Sequence, residues 1–197
     1  ESTEGDIRGR IETRTSRGTV NSVIAARDLD VETDISAQVN TLRAGRNIGN
    51  QQDPSVILVR GDLQNVDVSN GALYSDIRVG DDLTGAVTIG AVSATPTDDL
   101  VGQGSVVAFG RIERVTVQGD FDGSVISHSG GIGLVEIIDG SFRAGNIIAA
   151  YDGDIGTVRI ERGHLLGDVH ADYVLFFIDV IASADGVFGD IGVNPAL

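Results

Sequence analysis

The chain contains no cysteine, no methionine, no tryptophan and no lysine, so all 14 basic residues are arginine, against 29 acidic residues in 197. Each absence removes a class of chemistry. Without cysteine there are no disulfides, no thiolate metal sites and no sulfur nucleophile. Carboxylates outnumber arginines two to one, and the net charge of −15 leaves no basic patch for a phosphate backbone, so nucleic acid is not an expected partner. Anionic membrane surfaces are disfavoured on the same ground. Long apolar runs are missing too. The longest, Tyr173 to Ala182, is interrupted by Asp179 and falls far short of the roughly 20 residues that span a bilayer.

What is present reads as a folded chain. A hydrophobic fraction of 41% with mean hydropathy +0.10 is too apolar for a disordered acidic tail. Glycine occupies 27 positions without a strict three-residue period, which excludes collagen, and 3 prolines make a poor linker. The length suits one domain covering 1–197. The opening, Glu1-Ser-Thr-Glu-Gly-Asp6, carries no signal-peptide pattern and no initiator methionine, from which a mature product or a piece of a longer chain is expected.

The second half repeats itself. Ile112-Glu-Arg-Val-Thr-Val-Gln-Gly-Asp-Phe-Asp-Gly-Ser-Val125 is followed by Ile132-Gly-Leu-Val-Glu-Ile-Ile-Asp-Gly-Ser-Phe-Arg-Ala-Gly-Asn-Ile147 and by Ile155-Gly-Thr-Val-Arg-Ile-Glu-Arg-Gly-His-Leu-Leu-Gly-Asp-Val169. Val115, Val135 and Val158 correspond, as do Val117, Ile137 and Ile160, then Phe121, Phe142 and Leu165, then Val125, Ile147 and Val169. Val135 follows Val115 by 20 residues, and Val158 follows Val135 by 23. Ile77–Val87 and Ile57–Leu63 fit the template upstream, and a decayed copy runs through Val180, Val187 and Ile191. Residues 1–54 fit loosely, and 55–193 form the regular part.

Each unit holds short apolar alternations with the two-residue period of a half-buried strand, ended by Gly or Gly-Asp corners. Such a unit buries nothing alone. Stacked coil on coil, it builds a continuous inner column. The expected fold is therefore all-β: a right-handed parallel β-helix, or β-solenoid, of about eight coils of 20–23 residues. A β-sandwich would need longer strands without the repetition, and neither the leucine-rich register nor a six-residue side is present. Residues 90–105 interrupt the period and are expected to form an insertion loop. In Asp34–Gly45, Ile35, Val39 and Leu42 stand at helical spacing, with Asp34 placed to cap and Gly45 to terminate, so that segment is either a short helix or a poorly matching coil.

The Ile-Gly-x-Val-x-Ile-x-x-Gly-x-Leu-x-Gly-x-Val strings of 132–147 and 155–169 resemble the Gly- and Asp-rich repeats of the right-handed parallel β-helix superfamily. The resemblance covers roughly residues 55 to 193. It implies a fold shared by extracellular adhesins, surface-layer and filament proteins, phage tailspikes, and polysaccharide lyases and hydrolases, and it does not choose among these functions.

Aspartates following glycine (Asp6, Asp62, Asp81, Asp120, Asp154, Asp168 and Asp190) would align along a corner at a coil spacing of ~4.8 Å. One reading is a ladder of Ca²⁺ sites using Asp81, Asp82, Asp120, Asp122, Asp152, Asp154 and Asp168, since stacked carboxylates supply the oxygen ligands that calcium takes. The other is that each aspartate caps its own turn. Asp120/Asp122 and Asp152/Asp154 have the crude spacing of a glycosidase dyad, as would many pairs in so acidic a chain. Arg111, Arg114, Arg143, Arg159 and Arg162 could meet an acidic sugar, but pairing with Glu113, Glu136 or Glu161 is the plainer role. In Tyr173–Ile178 both alternation sets are apolar, so one face is expected either to pack beneath the C-terminal end or to meet another subunit, and in the second case Tyr173, Leu175 and Phe177 are the partner-binding residues.

These features favour a non-enzymatic extracellular or cell-surface module, a rigid acidic rod that forms homo-oligomers, filaments or surface assemblies. The alternative is a polysaccharide-binding or polysaccharide-degrading β-helix, weakened by an aromatic content of 5%. A self-assembling cytoskeletal solenoid is a third reading.

Overall fold

The computed structural model describes residues 4–13, 15, 18–90, 103–181 and 190–193. Among them the regular elements are all strands. The first half holds β1 (Ile7–Thr13), β2 (Thr19–Val20), β3 (Val23–Ala25), β4 (Leu29–Ile35), β5 (Gln38–Ala44), β6 (Val56–Val59), β7 (Leu63–Val68), β8 (Asp76–Val79) and β9 (Leu83–Ile89). The second half holds β10 (Val106–Ala108), β11 (Ile112–Gln118), β12 (Val125–Ser127), β13 (Ile132–Ile138), β14 (Asn146–Ala149), β15 (Ile155–Glu161), β16 (Asp168–Ala171), β17 (Leu175–Ile181) and β18 (Ile191–Val193).

The strands form two parallel sheets. The first sheet runs β1-β4-β6-β8-β10-β12-β14-β16-β18, and the second runs β17-β15-β13-β11-β9-β7-β5-β2, with β3 also paired to β5. The chain alternates between them, so one strand from each makes a turn, and every turn lies on the one before. That is a parallel β-solenoid of about seven turns. The expected eight falls to seven because only the turns from β4/β5 to β16/β17 carry one unbroken strand in each sheet. Before them the second sheet has only the split β2 and β3, and after them only β18 is described. Residues 91–102 of the expected insertion, and Val187 of the decayed copy, lie outside the described residues.

All four repeat sets are stacked. Val115 pairs in register with Val135, and Val135 with Val158; Val117, Ile137 and Ile160 follow the same path. Val125, Ile147 and Val169 stack in the first sheet. Phe121, Phe142 and Leu165 form single bridges on a narrow third face between the sheets, as Ile48 and Leu73 do earlier in the chain. Like lies above like, and each of these inner residues is at most 1% exposed. At ~25 cal/mol per Å² of apolar surface, such columns are the main force that closes the coils.

A bulge-like break recurs in the long strands of the second sheet. Ile112 and Val115 both face the core with two outward residues between them, and the pairing to β9 shifts register there. Strict alternation therefore fails at that point in each coil. The 34–45 segment follows the same rule. It is two strands, β4 ending at Ile35 and β5 carrying Val39 and Leu42 inward, and the helical reading is set aside. A corner at Ser36–Ala37 and one bulge between them reproduce a spacing of four and three.

Where β11, β13 and β15 leave the second sheet, the chain turns through the left-handed region at Gly119 (φ 103°), Asp139 (φ 59°) and Arg162 (φ 60°). These three hold one corner position in successive coils. Glycine takes that backbone freely, and aspartate tolerates it better than most side chains. Ser127 stands between Ala108 and Ala149 in its column, and although it is buried its hydroxyl is satisfied: it donates to the Gly110 carbonyl at 2.8 Å and accepts the Gly130 N–H at 3.2 Å.

Candidate functional site

The glycine-linked aspartates do not share a corner. Asp62 and Asp154 stand directly before Leu63 and Ile155, at the entry to the second sheet, and Asp81 reaches the same entry one residue earlier, with Asp82 between it and Leu83. Asp120 stands before Phe121 on the third face. Asp168 and Asp190 open strands or lead into strands of the first sheet. Three corners thus divide what looked like one ladder, and among the described residues no three His, Asp or Glu side chains are grouped to hold a metal ion.

Apart from Asp154, what most of these positions share is a different contact. The residue just before an inward apolar position turns its side chain onto the next coil and accepts that coil's backbone N–H. Asp62 accepts Asp82 N–H at 3.2 Å, and Asp82 accepts Arg111 N–H at 2.7 Å. Asp120 accepts Ser141 N–H at 2.8 Å, and Ser141 Oγ accepts His164 N–H at 3.0 Å. In the first sheet the chain of rungs passes from Asp76 to Ser105, Ser124 and Asn146, and Asp168 accepts Asp190 N–H at 2.9 Å. Corner N–H groups that the sheets leave unpaired are satisfied this way, which explains why Asp, Asn and Ser recur there.

The remaining expected calcium residues are apart. Asp81 and Asp152 are exposed, Asp152 at φ 63°. Asp122 meets the Arg143 guanidinium at 3.5 Å, and Asp120 meets the same group at 3.1 Å, so this carboxylate pair closes on an arginine. Asp154 Oδ1 is buried without a hydrogen-bond partner. Among the other arginines, Arg111 pairs with Glu113 at 2.8 Å, Arg159 lies among Glu161, Glu136 and Asp179 at 3.2 to 3.8 Å, and Arg162 pairs with Asp139 one coil below. These cations lie against carboxylates of their own or an adjacent coil.

Asp28 and Asp34 are held below the usual carboxylate value of 3.8. For Asp28 the Arg46 guanidinium is the main cause, opposed by burial and helped by the Asn47 N–H groups; for Asp34 it is Arg60, bound at 2.7 and 3.0 Å. A carboxylate with a lowered folded pKa stabilises fully above its unfolded value and loses that contribution as pH falls through the folded one. The melting temperature is thus expected to drop below about pH 3.8. In Asp28→Asn, followed by circular dichroism against pH, that acid-side slope should be shallower.

Two surfaces stand out. The first is a polar groove on the early coils, a cavity of about 320 Å³ lined by Arg8, Asp28, Asp30, Asn50, Gln51 and Tyr74 among others. It adjoins a second of about 230 Å³ that shares Gln51 and Tyr74. Burial pushes the Tyr74 phenol up from 10.0.

The second surface is the last coil. Tyr173, Phe176 and Phe177 are 58%, 67% and 56% exposed, and Ile181, together with Ile191 and Val193 of the other sheet, is exposed as well. Leu175 points the other way, stacked on Ile155 and packed against the core. The three expected partner residues thus divide: Tyr173 and Phe177 face solvent and Leu175 faces inward. Phe176 was missed, because the bulge turns two successive residues outward.

Taken together, the chain is a parallel β-solenoid repeat protein whose polar side chains tie coil to coil. No protein family, curated protein or solved structure matches it in sequence or fold comparison. Among the described residues no helix is long and apolar enough to cross a membrane.

Proposed function

We propose that this chain is a non-enzymatic structural or adhesive module of the cell surface or extracellular space, a rigid acidic rod that associates with further copies or with a surface partner. The observation that carries this reading is the use made of polar side chains. Corner Asp, Asn and Ser residues and several arginines, among them Arg46, Arg60 and Arg143, are engaged in bridging neighbouring coils, which stiffens a stack whose last coils carry most of the exposed large apolar residues among those described. Sedimentation velocity and electron microscopy across a micromolar concentration series test it. Species that grow with concentration are expected, and a strict monomer at all concentrations would exclude self-association.

A second reading, glycan binding, is favoured by the groove at Tyr74. Amide and carboxylate side chains beside a phenol ring match the paired donors and acceptors of vicinal sugar hydroxyls and the apolar face of the ring. Calorimetric titration with neutral oligosaccharides should give binding that Tyr74→Ala abolishes. Absence of heat across the panel would remove this reading.

A further inference from the structure

The inner columns of the solenoid end differently from the way they run. Their interior members are sealed, but the last ones, Leu175 and Ile178 in β17, are only half-buried, and so are the first, Ile11 and Val20. Ile191 is 47% exposed. Among the described residues both ends therefore present a parallel strand edge above unfinished apolar columns, and such edges template further pairing.

The first and last stretches of the sequence also differ in charge. Residues 1–27 hold five of the 14 arginines (Arg8, Arg10, Arg14, Arg17, Arg27) against four acids, whereas after Arg162 there are five aspartates and no arginine. By this count the first stretch of sequence is net +1 in a chain of −15, and the last is −5.

Resting on the reading above that the module self-associates, we propose that its partner is a second copy stacked head to tail, the C-terminal coil of one on the N-terminal coil of the next. The columns set the register. One column starts at Ile11, paired to Thr33, and ends at Ile191, paired to Val169, so continuation places Ile191 against Ile11 of the next copy. In the second sheet, Val20 and Leu175 are the first and last members of another column, and Val23 and Ile178 of a third. The corner rungs give the same answer. Each rung donates from the later coil to the earlier one, and Asp190, whose own N–H is held by Asp168, stands at the position that Arg10 holds at the other end. Stacking sets the Asp190 carboxylate beside the Arg10 backbone N–H and guanidinium. Tail-to-tail contact would instead reverse the strands and bring together two ends that each carry Asp190 and Asp179. A head-to-tail contact is heterologous, so it propagates into an open filament.

The absence of cysteine makes the test clean. Ile11→Cys and Ile191→Cys are prepared separately, and adjacent in-register strand positions lie within the ~4.4–6.8 Å Cα separation that a disulfide bridges. On mild oxidation, a mixture of the two is expected to give a crosslinked dimer at least tenfold above either alone, and the double variant a ladder of oligomers. Asp190→Arg should weaken association about tenfold, and Arg10→Asp in the same chain should restore it. Crosslinking of Ile191→Cys with itself, or association of the unmodified chain without the mixed crosslink, would overturn the head-to-tail arrangement and leave self-association standing. A monomer at every concentration would overturn both.

Discussion

Replacing Phe142 with alanine is expected to destabilise the chain by about 4 kcal/mol. The ring is fully buried on the narrow third face, bridged to Phe121 below and Leu165 above, with the Phe121 and Phe142 centroids 5.9 Å apart. Loss of a large buried side chain removes its transfer free energy and leaves a cavity, and the cost is greatest where the surroundings cannot close in. Here they are held on both sides. β12 to β14 and β13 to β15 fix the distance between successive coils through continuous parallel pairing, so the third face cannot shrink independently of the sheets. Leu166→Ala, one residue beyond the Phe142 bridge and 41% exposed, should change stability by less than about 0.5 kcal/mol. Urea midpoints for the two variants measure the contrast. A cost for Phe142→Ala near that of Leu166→Ala would mean that the third face collapses freely and contributes little to the stack.

The columns were legible in the chain because one inner position repeats the same residue class at each turn. Val115, Val135 and Val158 needed no structure to be aligned, since substitution within an inner column is limited to residues of like volume. Two things were not legible. The first was parity in the second-sheet strands. A period of two assigns Tyr173, Leu175 and Phe177 to one face, but a bulge after the first inward residue sends Phe176 and Phe177 out together and leaves Leu175 and Ile178 inside. Nothing in that string marks the bulge, although Ile132-Gly-Leu-Val and Ile155-Gly-Thr-Val, with two residues between inward ones, carry it in the regular coils. The second was the corner to which each Gly-Asp belongs. Asp62, Asp120 and Asp168 answer the same local need, an acceptor for the N–H of the coil above, and that need arises at all three corners of a turn. Identical physics at different places in the coil gives identical dipeptides, so the motif announced a solenoid while hiding which carboxylates are neighbours. The polar groove at Tyr74 was also out of reach, because Arg8, Asp28, Gln51 and Tyr74 come from successive coils and meet only after stacking.

The corner glycines are unequal, and the largest effect among them is expected at Gly163. A Cβ built there would lie 1.8 Å from the Gly140 carbonyl oxygen, and one at Gly140 would lie 2.1 Å from the Gly119 carbonyl carbon. These glycines follow the left-handed residues Arg162 and Asp139, and the tight turn brings each one's backbone directly over that of the coil below. The atoms in the way are main chain, held by ladders on both sides, so no flexible side chain can yield. Gly163→Ala should therefore cost about 3 kcal/mol, the upper part of the range for forcing an extra carbon into packed structure. Gly61, also followed by a corner residue, is the comparison. Its Cβ would meet Gln38 N at 3.2 Å, and the backbone there is not left-handed, so a shift of a few tenths of an ångström accommodates it. Gly61→Ala is expected to change stability by under about 1 kcal/mol. Thermal and urea unfolding of the pair, with far-ultraviolet dichroism to establish that both retain the β-solenoid, decides the matter. Equal stability would mean that neighbouring coils slide apart at this corner, and the stack would then lack the stiffness on which the rod and its end-to-end growth depend.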